Sequence, residues 1–138
     1  MEALHLQSIT ASADCAVLQV SGEVDAYSAP QLREHVIKLI ADGTRHLVVD
    51  MREVGFLDST GLGALVGSLK RLSEHDGSLA LVITAAKILT VFRTTGLVRV
   101  FTIHESVTEA IDGDQSLQTA LTAAGQSSAE WCGEHDLL

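Results

Sequence analysis

Two cysteines, one proline, five aromatic side chains and only nine basic residues set the first limits on this 138-residue chain. Cys15 and Cys132 form no C-x-x-C pair, so they supply neither a disulfide framework nor a zinc site and read as two reduced thiols. No apolar run approaches the roughly 18 residues needed to cross a bilayer. The first residues, Met1 to His5, carry no basic stretch followed by an apolar one, so no secretion signal is visible and the protein is expected to be soluble and cytoplasmic. Nine Lys and Arg stand against 18 Asp and Glu, a net charge of −9. That excludes direct nucleic-acid binding, which needs clustered bases. The charge is also uneven. Asp112, Asp114, Glu130, Glu134 and Asp136 follow residue 111 with no Lys or Arg among them.

The length suits one domain with a self-sufficient core. Leu4 to Ile9 alternates apolar and polar residues as a half-buried strand does, Ser12-Ala13-Asp14 reads as a turn, and Cys15 to Val20 is a second strand, so the chain opens on an antiparallel hairpin. Ser21 to Asp25 is a polar, glycine-containing connection. Ser28 and Gln31 have capping-box spacing, Pro30 suits a first helical turn, and Leu32, Val36, Leu39 and Ile40 recur at helical spacing until Asp42-Gly43. His46 to Asp50 is an apolar, β-branched run suited to a central strand covered on both faces. A second helix carries Leu62, Leu65, Val66, Leu69 and Leu72 and closes at Asp76-Gly77. Ser78 to Ile83 is the next strand. Ile88, Val91 and Phe92 mark a short helix closed by Gly96. Val98 to Ile103 predicts a strand around Val100 and Phe101, and Ser106 with Glu109 caps a final short helix. The order implies an α/β domain, a mostly parallel sheet of about five strands with right-handed crossovers and helices packed against it. Residues 1–111 make that domain. Residues 112–138 read as an acidic, flexible tail, with Trp131 an isolated apolar anchor and a transient helix across Leu117 to Ala124.

The chemistry concentrates at Phe56-Leu57-Asp58-Ser59-Thr60-Gly61-Leu62-Gly63, a strand-to-helix junction holding two hydroxyls and a carboxylate. A helix start presents unpaired N–H groups and partial positive charge. A hydroxyl there can cap the helix, or it can carry a phosphate that the helix end tolerates. Asp58 can likewise cap the helix or position the seryl hydroxyl. Ser59, Gly63 and Gly67 lie four residues apart, a stripe of small side chains that implies close approach of another backbone, either a neighbouring element or a partner protein. Enzymatic readings are weak. Ser59 lacks the G-x-S-x-G elbow of many hydrolases. The six histidines form no H-x₃-H or H-E-x-x-H pair, so no metal site is expected. Neither phosphate-cradling glycine motif is present.

Four ordered segments carry a family resemblance. Gly22-Glu23-Val24-Asp25-Ala26-Tyr27-Ser28-Ala29-Pro30, Leu47-Val48-Val49-Asp50, Phe56 to Leu65, and Thr95-Gly96-Leu97-Val98-Arg99-Val100-Phe101 resemble the STAS domain of bacterial anti-sigma factor antagonists, from about Leu4 to Ile111. The resemblance implies a regulatory protein without catalytic activity or cofactor. It implies phosphorylation at Ser59 by a partner anti-sigma factor that is a serine kinase, and a serine phosphatase that resets the switch. The unphosphorylated form would bind the anti-sigma factor and free the sigma factor. Thr60 replaces the second serine of a common D-S-S-G form, so it is the second candidate acceptor after Ser59. By resemblance the partner surface takes in Glu23, Asp25 and Tyr27 together with Asp58, Ser59, Thr60, Gly61 and Gly63. The rival readings are a STAS scaffold subunit of a lipid-transport complex or stress-sensing particle, and a nucleotide or small-ligand sensor.

Overall fold

The computed structural model describes residues 3–138; Met1 and Glu2, part of the stretch read for a secretion signal, lie outside the described residues. β1 (His5–Thr10) and β2 (Cys15–Val24) form the expected antiparallel hairpin, closed by Ala11 and Ser12 N–H groups on the Cys15 carbonyl. α1 (Ala29–Ala41) buries Ala29, Leu32, Val36 and Ile40 and carries the chain to β3 (His46–Leu57). α2 (Ser59–Glu74), β4 (Ser78–Val82), α3 (Ala86–Thr94), β5 (Thr102–His104) and α4 (Val107–Asp112) complete the predicted order. The sheet runs β1-β2-β3-β4-β5, with the first pair antiparallel and the rest parallel.

Strand parity divides the core. Leu18, Val20, Leu47, Val49, Met51, Leu81 and Ile83 face α1, α2 and α3 on the front. Cys15, Val17, Val48, Ala80 and Val82 face the back, where α4 places Val107, Ala110 and Ile111. Successive side chains in a strand point to opposite faces, so strands covered on both sides read as continuous apolar runs.

The structure departs from the sequence reading in three places. First, β2 continues through Ser21 to Val24, where a polar connection was expected, and β3 continues to Leu57, past the Asp50 at which the expected strand ended. The two extensions pair with each other, Ser21 opposite Glu53 and Glu23 opposite Phe56, and β3 gains a residue on β2 between the Gln19 and Ser21 pairs and again between the Gly22 and Glu23 pairs. Met51, Val54 and Leu57 of β3 and Val24 of β2 are buried, but Ser21, Glu23, Arg52 and Glu53 stand between them and masked the strand signal. Second, Val98 to Ile103 is not one strand. Gly96, at φ +77, closes α3, a 3₁₀ turn spans Leu97–Arg99, and only Thr102–His104 pairs with β4. The turn brings Phe101 edge-on to Phe92, ring centroids 5.7 Å apart.

Third, residues 112–138 are not a flexible tail. α5 (Gln115–Ala123) and α6 (Ser128–Glu134) pack on the back of the sheet and bury Leu117, Leu121, Trp131, Cys132 and Leu137. The transient helix expected across Leu117 to Ala124 is α5, docked rather than transient, whereas α6 had no counterpart in the sequence reading; helices this short are unstable alone. Their stability comes from an apolar face that three separate strands supply, through Cys15 and Val17, Val48, and Ala80 and Val82.

Candidate functional site

The parallel pairing of Val24 with Leu57 brings two chain exits together at the carboxyl ends of β2 and β3. From β2 leaves the turn Asp25 to Ser28. Asp25 Oδ1 accepts the N–H groups of Tyr27 and Ser28, both at 3.0 Å, and Ser28 N–H foremost holds its carboxyl below the usual carboxylate range. The Ser28 hydroxyl accepts from Asp25 N–H at 2.9 Å and donates to the Glu23 carbonyl at 2.8 Å. The expected Ser28–Gln31 capping box is therefore not made. Ser28 stands just before α1 with helical backbone angles, its hydroxyl is turned back into the loop, and Gln31 N–H goes to the Ser28 backbone carbonyl.

From β3 leaves the junction into α2. Asp58 is extended at φ −103, ψ −175, and its Oδ1 accepts Gly61 N–H at 2.9 Å. Its own N–H donates to the Val24 carbonyl, and its carbonyl receives Leu62 N–H. Asp58 is thus the helix cap, and the hydroxyls are not. Ser59 and Thr60 are the first two helical residues, and both are exposed. Among the described residues, nothing hydrogen-bonds either hydroxyl or the N–H of Ser59 or Thr60. The site therefore holds two uncommitted hydroxyls, two free backbone donors and the positive end of a 16-residue helix.

Gly61 is the tight position. A Cβ there would stand 2.7 Å from the Val24 carbonyl oxygen and 2.7 Å from Leu57 Cδ1. Gly63 and Gly67 meet nothing within 4 Å, so the small stripe they form with Ser59 is not filled by another element of this fold.

The fold therefore gathers Glu23, Asp25 and Tyr27 at one exit and Asp58, Ser59, Thr60, Gly61 and Gly63 at its neighbour. Tyr27 is 90% exposed, an unusual state for one of five aromatics in the chain. Phe56, not singled out from sequence, is 46% exposed at the same end, opposite Glu23. Its signal was available: Phe56 and Leu57 are adjacent in a strand and cannot both point inward. A shallow cleft of about 350 Å³ lies against this end, lined in part by Leu4, Glu23, Tyr27 and Gln31. No cluster of metal-ligating side chains occurs among the described residues, and no helix among them is long and apolar enough to cross a membrane.

Known proteins match this architecture. The family model described as STAS domain matches residues 7–110. A Staphylococcus aureus protein described as anti-sigma-B factor antagonist is 38% identical over 88 residues, 64% of this chain and 82% of that protein. One of the same description from Staphylococcus epidermidis is 34% identical over 102 residues, 74% and 94% of the two chains. The crystal structure of an anti-sigma factor antagonist from Mycobacterium paratuberculosis superposes with a TM-score of 0.73 at 25% identity, covering 80% of this chain and 93% of that one. The match spans the sheet, α1 to α4 and the Asp58–Ser59 junction, and on that ground the chain belongs to the STAS-domain family.

Proposed function

We propose that this chain is an anti-sigma factor antagonist, a regulatory binding module whose affinity for its anti-sigma factor is set by phosphorylation of Ser59. The observation that carries the reading is the free, exposed Ser59 hydroxyl on the first turn of α2, with Asp58 already occupied as the cap. The names of the staphylococcal relatives support the class of partner. The anti-sigma factor is the serine kinase, and a serine phosphatase restores the free hydroxyl.

The electrostatics give the switch a mechanism. A phosphoryl group on Ser59 adds about −1.5 to −2 charge near neutral pH. The helix terminus tolerates it, so α2 need not melt. Glu23, Asp25 and Asp58 already make the surface acidic, and no Lys or Arg lies among the residues gathered there. Like charges pressed together in a desolvated interface cost several kcal/mol, and each 1.4 kcal/mol is tenfold in affinity. Partner release then follows from charge alone, without rearrangement of the fold.

Ser59→Ala should lose phosphate incorporation by the kinase and keep partner binding, while Ser59→Asp should weaken binding at least about tenfold. Phosphate incorporation in Ser59→Ala equal to wild type would move the site, and Thr60→Ala then tests the neighbour. Affinity capture from the native cell with mass spectrometry tests the class. A kinase-like anti-sigma factor supports it, and recovery of membrane transporter components overturns it in favour of a scaffold role.

A further inference from the structure

The C-terminal helices are tied to the sheet at both ends by polar groups. At the start of α5, Asp114 Oδ1 caps the helix by accepting Leu117 N–H at 3.1 Å. Its Oδ2 accepts the Ser78 hydroxyl at 2.7 Å, at the beginning of β4. Ser78 Oγ also lies 2.8 Å from His46 Nδ1, at the beginning of β3. With the hydroxyl proton directed at Asp114, His46 donates from Nδ1. Beyond α6, the Leu137 carbonyl accepts Arg52 Nη2 at 3.0 Å. Arg52 in turn grips the buried Asp50 carboxylate by Nε at 2.9 Å and Nη2 at 3.0 Å. Between the clasps, Leu117, Leu121, Trp131 and Cys132 cover Cys15, Val17, Val48, Ala80 and Val82.

This segment is an addition to a body that is complete without it. The family match ends at residue 110, inside α4. The 102 matched residues of the Staphylococcus epidermidis relative are 94% of its length, which leaves no room for two further helices. α4, which belongs to the body, stays against the back of the sheet through Val107, Ala110 and Ile111.

We infer that residues 114–137 form a strap, latched by Arg52, that detaches as a unit while the STAS body remains folded. Closed, it reserves the back of the sheet and confines partners to the Ser59 end and the front helices. Open, it uncovers an apolar face on the opposite side from α1, α2 and α3. The inference does not depend on the role of Ser59.

The chain contains one tryptophan, Trp131, buried in the cluster that the strap forms with the back of the sheet, so its emission reports strap docking directly. The experiment compares full-length wild type, Arg52→Ala and a chain lacking Leu137 and Leu138. The deletion removes the carbonyl acceptor together with the buried Leu137 side chain and leaves the Asp50–Arg52 pair intact, so it still tests whether the strap opens apart from the body if Arg52→Ala fails to fold with its buried Asp50 unpaired. In the folded variants Trp131 emission should shift to the red. Amides of α5 and α6 should exchange about tenfold faster in Arg52→Ala, the loss of one hydrogen bond from a charged donor, and faster still in the deletion, which also loses the buried Leu137 side chain, while β3 and β4 stay as protected as in wild type. Strap and strand amides accelerating together would overturn separability, and unchanged strap protection in the folded variants would overturn the latch.

Discussion

Asp58 and Ser59 divide between them two jobs that sequence alone leaves on either residue. Asp, Ser and Thr are all favoured N-caps, so a run of all three defines a helix start only to within a residue. The geometry separates them: Asp58 is extended and bonds Gly61 N–H, while Ser59 has entered the helix and its hydroxyl is free. Removing the cap should then affect stability, and removing the hydroxyl should not. Asp58→Ala is expected to cost about 1 kcal/mol and lower the midpoint of thermal unfolding by about 4 °C, whereas Ser59→Ala should leave it within about a degree. Circular dichroism melts of the two variants check this, and an unchanged midpoint in Asp58→Ala would show that the cap contributes nothing. The same assignment explains why a phosphate on Ser59 stands beside a fixed carboxylate. Asp58 cannot swing away without surrendering Gly61 N–H, so the repulsion is built into the helix start.

At the scale of the element, α2 uses its glycines in opposite ways. Gly61 is where the helix start presses on the end of β2, and an added methyl would meet the Val24 carbonyl, a backbone atom with no freedom to yield. Gly61→Ala should therefore destabilise by about 1–3 kcal/mol despite alanine's better helix propensity. Gly63 has open space, so Gly63→Ala should stabilise by up to about 1 kcal/mol. Urea midpoints measure both, and a destabilised Gly63→Ala would mean that its surroundings are tighter than they stand here. A partner seated on this stripe would make the second change lower affinity while raising stability. The periodicity of α1 and α2 was legible because each buries one apolar stripe against the front of the sheet, Leu32, Val36 and Ile40 in α1 and Leu62, Leu65 and Leu72 in α2. The outer halves of β2 and β3 were not, because Ser21, Glu23, Arg52 and Glu53 interrupt the apolar run that marks a buried strand. Their pairing with each other keeps them in the sheet, and that pairing is invisible along either segment taken singly.

The whole molecule has two cores on one sheet, and the back core was the illegible one. Its helices are short, its apolar residues are few and its composition is acidic, so residues 112–138 looked like a tail until the sheet supplied a partner. That core contains both thiols, Cys15 and Cys132, each buried. Burial, the largest cause, pushes the Cys15 thiol up from 9.0 to about 11, with the Asp14 carboxylate adding to it, and burial raises Cys132 as well. An unfolded chain has no such environment. Between pH 9 and 11 it releases a proton that the folded chain retains at Cys15, so the unfolded state gains relative to the folded one. The contribution to stability is fully present below about pH 9 and is lost as pH rises towards 11. Other groups titrate in the same range, so the comparison is with Cys15→Ala, which lacks this proton in both states. Wild type should lose urea resistance from pH 9 to 11 more steeply than Cys15→Ala, with the two curves nearest in slope below pH 8. Parallel curves across the whole range would show that the thiol is not held in an apolar site, and hence that the back core is open to water. A steeper wild-type curve that flattens when Leu137 and Leu138 are deleted would tie the thiol's burial to closure of the C-terminal helices, and so join the pH dependence of the whole molecule to its strap.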